Sequence, residues 1–435
     1  MQAIRFHRSV PRWLLVHSLG TRVPWLATSA LSCIKLEETE PPKLPNGEWV
    51  RVRPILSGIC GSDLAAIACQ TSPYFAPFVS TPFVLGHEIV GVIEETGPQT
   101  PEAWKKGQRV VLEPALSCAV RGVKPLCASC QQGRYAACVN LLKGALGAGF
   151  QTGFCANTGG GWSHGLVAHP AQLHTVPEKL SDTGAVLAEP FACALHAALL
   201  APCDPKASLL LIGCGTIGLL AIAAYRAIGG EGKIRALARY RVQGDMAEHL
   251  GADEVYVETD TRRQYRWVLE RFGGSLHPSD LGKPVALGGA PVVLDCVGSA
   301  QSIDDALRLA APGGLVLLVG MPGTPGGVDL TPLWHKELRV HGAYAYGWET
   351  PPDDLAGIGA VAAGASHKVN LAHMDKRGRV KSMDLALQIL AADDADVLSS
   401  LVRRKYPLAQ FGRALDEAFH AGSRGAFKVV FEIGK

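Results

Sequence analysis

Leu209-Leu-Leu-Ile-Gly213-Cys-Gly215-Thr216-Ile217-Gly218-Leu-Leu is the stretch on which the fold of this chain turns. Leu209 to Ile212 reads as a short buried strand, and the apolar run from Thr216 to Ile228 reads as a buried helix. A glycine pattern occupies the junction, with Thr216 and Ile217 completing its turn. Gly213 permits the tight bend, Gly215 lets the backbone approach a pyrophosphate, and Gly218 lets helix and strand pack closely, so that the helix N-terminus faces phosphate. The glycines alone are a weak signal; a strand before them and a helix after them make a dinucleotide site the first expectation. A tight turn without a ligand is the alternative.

Working outward, the next strand is expected at Ile234–Ala238 and ends in Arg239-Tyr-Arg241. An NAD site would place a carboxylate near this point for the ribose hydroxyls, about 20 residues after the glycines. Its replacement by Arg239 and Arg241 offers room and bidentate donors for a 2′-phosphate, which favours NADP(H) over NAD(H). The alternative is a pair of solvated strand-end charges. Further apolar runs at Val292–Asp295 and Leu315–Val319, with a helix from Ser302 between them, continue a βαβ alternation. The expected class is therefore α/β with a doubly wound parallel sheet. Val297, Gly298, Val319 and Gly320 fall at strand ends, where dinucleotides bind such sheets. Residues 259–290 read as a helix followed by a long surface loop. Upstream, residues 1–177 read as short strands such as Trp49–Arg53 and Ile89–Glu94, separated by loops rich in Pro, Gly and Cys. Beyond Gly347, a helix is expected at Ser382–Ala391 and a closing strand at Lys428–Ile433.

Composition narrows the function classes. The chain has 435 residues, 48% hydrophobic and 19% charged, which suits two or three folded domains rather than a disordered or fibrous chain. A net charge of +3 advertises neither a nucleic-acid nor an anionic-membrane surface. The apolar stretch from Trp13 to Ile34 is interrupted by His17, Arg22 and Pro24 and fits neither a signal peptide nor a membrane span. Twelve cysteines without a secretion signal point to reduced thiols and a cytoplasmic location. A small-molecule partner is the better expectation.

The cysteines fall into informative sets. Cys118, Cys127, Cys130 and Cys138 offer four thiolates in one loop, the ligand set of a closed, structural zinc. A redox CxxC pair and a nucleic-acid zinc ribbon are the alternatives, disfavoured by Pro125 and Gly133 in the loop and by the near-neutral charge. Separately, Cys60, within Ser57-Gly-Ile-Cys60-Gly-Ser62-Asp63, precedes Gly86-His87-Glu88. Cys, His and a carboxylate form a mixed set of the type that leaves zinc an open position for chemistry. Each residue also has a plain structural reading, as a buried thiol, a core histidine or a surface charge.

Taken together, GICGSD at Gly58–Asp63, GHE at Gly86–Glu88, the cysteine loop, Glu189-Pro190, GCGTIG and Asp295-Cys-Val-Gly298 resemble the zinc-containing medium-chain dehydrogenase/reductase family of alcohol, polyol and threonine dehydrogenases. The resemblance implies a β-rich GroES-like catalytic domain, residues 1–189 and 347–435, interrupted by a Rossmann domain, residues 190–346. It implies Cys60 and His87 as catalytic-zinc ligands and leaves open which of Glu88 and Glu189 binds directly. It further implies Ser62 as the hydroxyl on the substrate oxygen, Asp63 as the carboxylate orienting His87, and Lys428 as a base reaching the cofactor pyrophosphate. The implied activity is hydride transfer between a nicotinamide and an alcohol/ketone or aldehyde pair, with zinc as Lewis acid and Ser62 passing the proton. A homodimer or homotetramer is implied, with Leu338–Ala345 as a pairing edge. A non-catalytic NADPH-binding or sensor protein, or a zinc-independent alkene or quinone reductase, is the competing reading; the retained ligands argue against both.

Three departures from the family pattern stand out. Ala65 replaces a relay histidine, and Cys118 lies farther from Cys127 than usual, with Ala119–Leu126 expected to loop out. The segment Gln70–Leu85, with Tyr74, Phe75 and Phe78, is long and expected to roof a partly aromatic pocket, which Trp162 either lines or merely packs beneath.

Overall fold

The computed structural model describes residues 1–20, 23–201, 207–351, 374–392 and 397–434. A six-stranded parallel sheet runs in the spatial order Glu254–Val257, Ile234–Ala238, Leu209–Ile212, Ala290–Asp295, Ala310–Leu318, Arg339–Gly342. Its central strands are apolar and buried on both faces because helices cover them, among them Thr216–Ala227, Arg241–His249 and Ala300–Leu309. Chain order reverses between Leu209–Ile212 and Ala290–Asp295, the topological switch point at which such sheets hold ligands beyond their carboxyl ends.

The second sheet is mostly antiparallel, in the order Val402–Pro407, Lys428–Glu432, Val50–Gly58, Ile89–Thr96, Arg109–Leu112, Leu173–Thr175, with Leu166–Ala168 also paired to Val50–Gly58. Strand Lys428–Glu432 thus comes from the far end of the chain and pairs Val430 with Gly58. One apolar core runs through both units and includes Leu56 and Val90 from this sheet and Leu211 and Leu294 from the parallel one. Helix Ala188–Leu199 lies against Thr216–Ala227 at this junction, and alanines on both helices allow close approach. It also runs across the expected border at residues 189/190, so that border is not a linker.

The expected surface loop after the helix Thr261–Phe272 is instead a two-stranded antiparallel hairpin, Gly274–His277 with Val285–Gly288. Its ladder carries mostly exposed side chains, so it lacks the buried alternation by which a strand is read from sequence. The stretch from Trp13 includes the end of a helix, Val10–Leu19, inserted between the paired strands Gln2–Phe6 and Ile34–Glu38. Arg22 lies outside the described residues. Among the described residues no helix is long and apolar enough to cross a membrane.

Candidate active site

Gly213 adopts φ +95°, and a Cβ at Gly218 would stand 2.0 Å from the carbonyl oxygen of Gly213, so helix and strand meet too closely for any side chain there. Gly215 differs. A Cβ at that position meets nothing within 4 Å, so it is open space before the helix N-terminus that a side chain would occupy. A pyrophosphate fits that space and the amide donors behind it. Thr216 is spent elsewhere, its hydroxyl donating to the carbonyl of Phe427 at 2.7 Å, while Ile217 packs on the core. The amides of Val297 and Gly298 donate to the Asp295 carboxylate at 2.9 and 3.2 Å, and those of Val319 and Gly320 to its carbonyl oxygen at 2.9 and 2.8 Å. Those four residues therefore offer a cofactor their carbonyls and surfaces rather than amide protons.

Arg239 and Arg241 stand exposed beyond Ile234–Ala238. Arg241 pairs with Asp245 at 2.9 Å, an exposed contact across one helical turn, and Arg239 makes no ion pair among the described residues. Its guanidinium lies 5.6 Å over the Tyr240 ring.

The antiparallel register that pairs Ser57 with Ile89 carries Cys60 beside His87 and Glu88, although 26 residues separate Cys60 from His87 in the chain. Their ligand atoms all lie within 4.8 Å of one another. Asp63 joins the two halves: Oδ2 accepts the amide of Cys60 at 3.0 Å, and Oδ1 lies 3.2 Å from His87 Nδ1, close but without hydrogen-bond alignment. Glu189 adjoins this set from the helix Ala188–Leu199 without belonging to the tight cluster. Burial pushes its carboxyl up to about 7, against the pull of His87, with Glu88 adding to the rise. The Ser62 hydroxyl is buried and unpartnered, a condition that costs roughly 1–3 kcal/mol unless a ligand meets it. A thiol, an imidazole and a carboxylate gathered in this way suit zinc with an open position.

The Lys428 ammonium is buried and ion-pairs with Glu88 while donating to the carbonyl of Ile59. Gly58 makes that contact possible, because a Cβ there would overlap the Glu88 carboxylate and crowd Lys428. Trp162 is wholly buried beneath the site, its indole donating to the Gly58 carbonyl at 3.1 Å, which settles its two readings in favour of packing.

All four loop cysteines come together within 4.8 Å, Cys118 included. Cys118 and Cys127 lie 3.5 and 3.9 Å from the sulfur of Cys138. N–H groups point at these sulfurs: Asn140 reaches Cys118 at 3.2 Å and Cys138 at 3.4 Å. The hydrogen bond from Cys130, with others from Asn140 and the neighbouring thiols, brings the Cys138 thiol down to about 5. This donor set suits a closed tetrahedral zinc. The spacer after Cys118 is anchored by Arg121, wholly buried and donating to the carbonyls of Leu116, Lys143, Leu146, Gly147 and Gly149.

Sequence reading missed Cys193, whose thiol lies 3.8 Å from Glu189 Oε1 one helical turn on. The Glu-x-x-x-Cys spacing within a helix was the available signal. It also missed Phe154, its ring 6.2 Å from that of His87, for which periodicity gave no sign.

A dinucleotide-type parallel sheet joined to a β-rich unit bearing a Cys-His-Glu centre defines a metal-dependent nicotinamide oxidoreductase. Residues 46–178 match the alcohol dehydrogenase GroES-like domain, and residues 216–360 match the zinc-binding dehydrogenase model. The chain is 28% identical over 411 residues to L-idonate 5-dehydrogenase of Vitis vinifera, covering 92% of this chain and 93% of that one. It is 29% identical over 391 residues to sorbitol dehydrogenase of Arabidopsis thaliana, covering 88% of each. The alcohol dehydrogenase of Thermus sp. ATN1 shares the fold over the full length of both chains, with a TM-score of 0.69 and 23% identity. The chain belongs to the zinc-dependent medium-chain dehydrogenase/reductase family and is an oxidoreductase of the alcohol dehydrogenase type that interconverts alcohols and carbonyl compounds.

Proposed function

We propose that the protein carries two zinc ions per chain, one catalytic and one structural, and exchanges hydride between NADP(H), in preference to NAD(H), and an alcohol or its ketone or aldehyde. The observation that carries the reading is the cluster of Cys60, His87 and Glu88, with the buried, unpartnered hydroxyl of Ser62 two residues from Cys60 in the chain. Cys60, His87 and Glu88 would hold a zinc that would supply Lewis-acid polarisation of the substrate oxygen, and the sheet's carboxyl edge would hold a nicotinamide that would supply or accept the hydride. Ser62 Oγ holds the proton that leaves or joins the substrate oxygen. Asp63 fixes the His87 ring through the Oδ1–Nδ1 approach, and Lys428 offsets the charge of Glu88. Ala65 offers no imidazole, so the proton passes beyond Ser62 by water or another group.

In this reading Cys118, Cys127, Cys130 and Cys138 hold the structural zinc, Arg239 and Arg241 receive the 2′-phosphate, and Glu189 is a neighbouring carboxylate of the catalytic centre. Residues 1–189 with 347–435 form the catalytic unit and 190–346 the cofactor unit. The free cysteines among the described residues favour a reducing, cytoplasmic setting. The exposed edge strand Arg339–Gly342 favours a homodimer or homotetramer. Turnover of alcohols with NADP+ that disappears on chelation and returns with zinc is the expected result; turnover indifferent to metal removal contradicts it.

A further inference from the structure

We infer that the alcohol accepted here carries an aryl or similarly bulky apolar substituent beside its carbinol carbon, rather than the chain of hydroxyls of a free polyol. The inference rests on the oxidoreductase reading of the same site. From His87 outward, aromatic rings succeed one another. Phe154 lies 6.2 Å from the His87 ring, Phe150 5.0 Å from Phe154, Phe75 5.2 Å from Phe150, and Tyr74 5.5 Å from Phe75. Burial falls along the series from 5% exposed at Phe154 to 37% at Phe75 and 74% at Tyr74. The rings therefore form a continuous apolar strip from the metal ligands to solvent.

Its solvent end is built by the 3-10 turn Pro73–Phe78, within the long segment between Cys60 and His87. That segment closes against the cofactor unit, because a Cβ at Gly323 would stand 3.0 Å from the carbonyl of Gln70. The segment thus touches both units.

Recognition of a polyol needs unspent donors and acceptors along the path of its hydroxyls, since unpaired hydroxyls in an apolar site lose affinity. Three polar side chains of the segment, Gln70, Ser72 and Ser80, are already engaged. Gln70 donates its amide to the carbonyls of His17 and Ala68, and Ser72 accepts the amide of Tyr74. Ser80 donates to the carbonyl of Ala148 and accepts the amide of Ala156. Aromatic faces, by contrast, bind a ring by stacking or edge contact and add affinity beyond area burial.

The test is equilibrium binding to the zinc-loaded, full-length protein with NADP+ present, by saturation-transfer NMR and calorimetry, using acetophenone and fructose as probes. Acetophenone is expected to bind on the order of tenfold or more tightly than fructose. Phe75→Ala is expected to weaken acetophenone by roughly tenfold, and Phe75→Tyr, which keeps the ring, to restore most of that loss. Phe150→Ala serves as a second break in the strip and is expected to act in the same direction. Tighter binding of fructose, or acetophenone binding indifferent to both alanine variants, overturns the inference. Aryl binding that depends on these rings, without turnover of 1-phenylethanol, upholds the strip and counts instead against the oxidoreductase reading.

Discussion

Oδ1 of Asp63 lies 3.2 Å from Nδ1 of His87, and the other oxygen of the same carboxylate takes the amide of Cys60 at 3.0 Å. One wholly buried side chain therefore positions both of the proposed metal ligands. Asp63→Asn keeps the shape and removes the charge. Activity is expected to fall by about 10- to 100-fold with a matching loss of zinc affinity, as for other partners of metal-bound histidine. Steady-state kinetics with metal titration checks this; an unchanged zinc affinity would show that Asp63 only packs.

The cysteine loop offers a second test. If Cys118 completes the tetrahedral set, Cys118→Ala releases the structural zinc and lowers the thermal midpoint by roughly 5–10 °C, because metal binding there is folding free energy. Retention of the ion and of the midpoint would mean that the set closes without Cys118.

In the proposed reading, cofactor choice rests on Arg239 and Arg241. Replacing both by Ala is expected to weaken NADPH about 10- to 100-fold, the size of one or two charge-assisted hydrogen bonds, with little change for NADH. Nicotinamide fluorescence titration measures both. Equal losses would assign the arginines to the protein surface alone.

How far the sequence carried the reading can be judged from particular residues. The glycine fingerprint was legible because its causes are local: a turn at Gly213 and a close contact at Gly218 lie within a single strand–helix unit. Cys60, His87 and Glu88 were legible as a set only through the family pattern, since what joins them is the register of two strands. The contacts of Lys428 were not legible for the same reason. Its partner Glu88 lies 340 residues away and is reached through the pairing of Val430 with Gly58, which no local pattern encodes. The hairpin Gly274–His277 with Val285–Gly288 went unread because its exposed faces leave little apolar alternation. Cys118 was harder to place than its three companions because its spacing is unusual; the carbonyl cage around Arg121 supplies what spacing did not.

A buried ionic cluster away from the metal centre gives a pH dependence. His174 lies between Asp384, at 2.5 Å, and Glu113, at 3.4 Å, with Lys381 3.6 Å from Glu113 and the Tyr135 hydroxyl donating to Glu113 at 2.7 Å. Burial opposes the charge on His174, but its carboxylate partners outweigh burial and hold it above the ordinary 6.5. Burial likewise opposes the charge on Glu113, and Lys381 and His174 hold it below the ordinary 4.5. The histidine's contribution is therefore full below pH 6.5 and fades as pH rises through its folded value; the glutamate's is full above pH 4.5 and fades as pH falls through its own. His174→Gln is expected to cost about 1–3 kcal/mol near pH 6 and less at pH 9. Denaturant melts across pH measure this; a cost that grows toward pH 9 would show that His174 is buried neutral.

Elemental analysis of the purified wild type and of Cys60→Ala tests the central assignment most directly. The expected result is about two zinc ions per wild-type chain and about one in the variant, which retains the cofactor but not turnover. An unchanged zinc content with retained turnover in Cys60→Ala would remove Cys60 from the metal centre and contradict the catalytic site described for this chain.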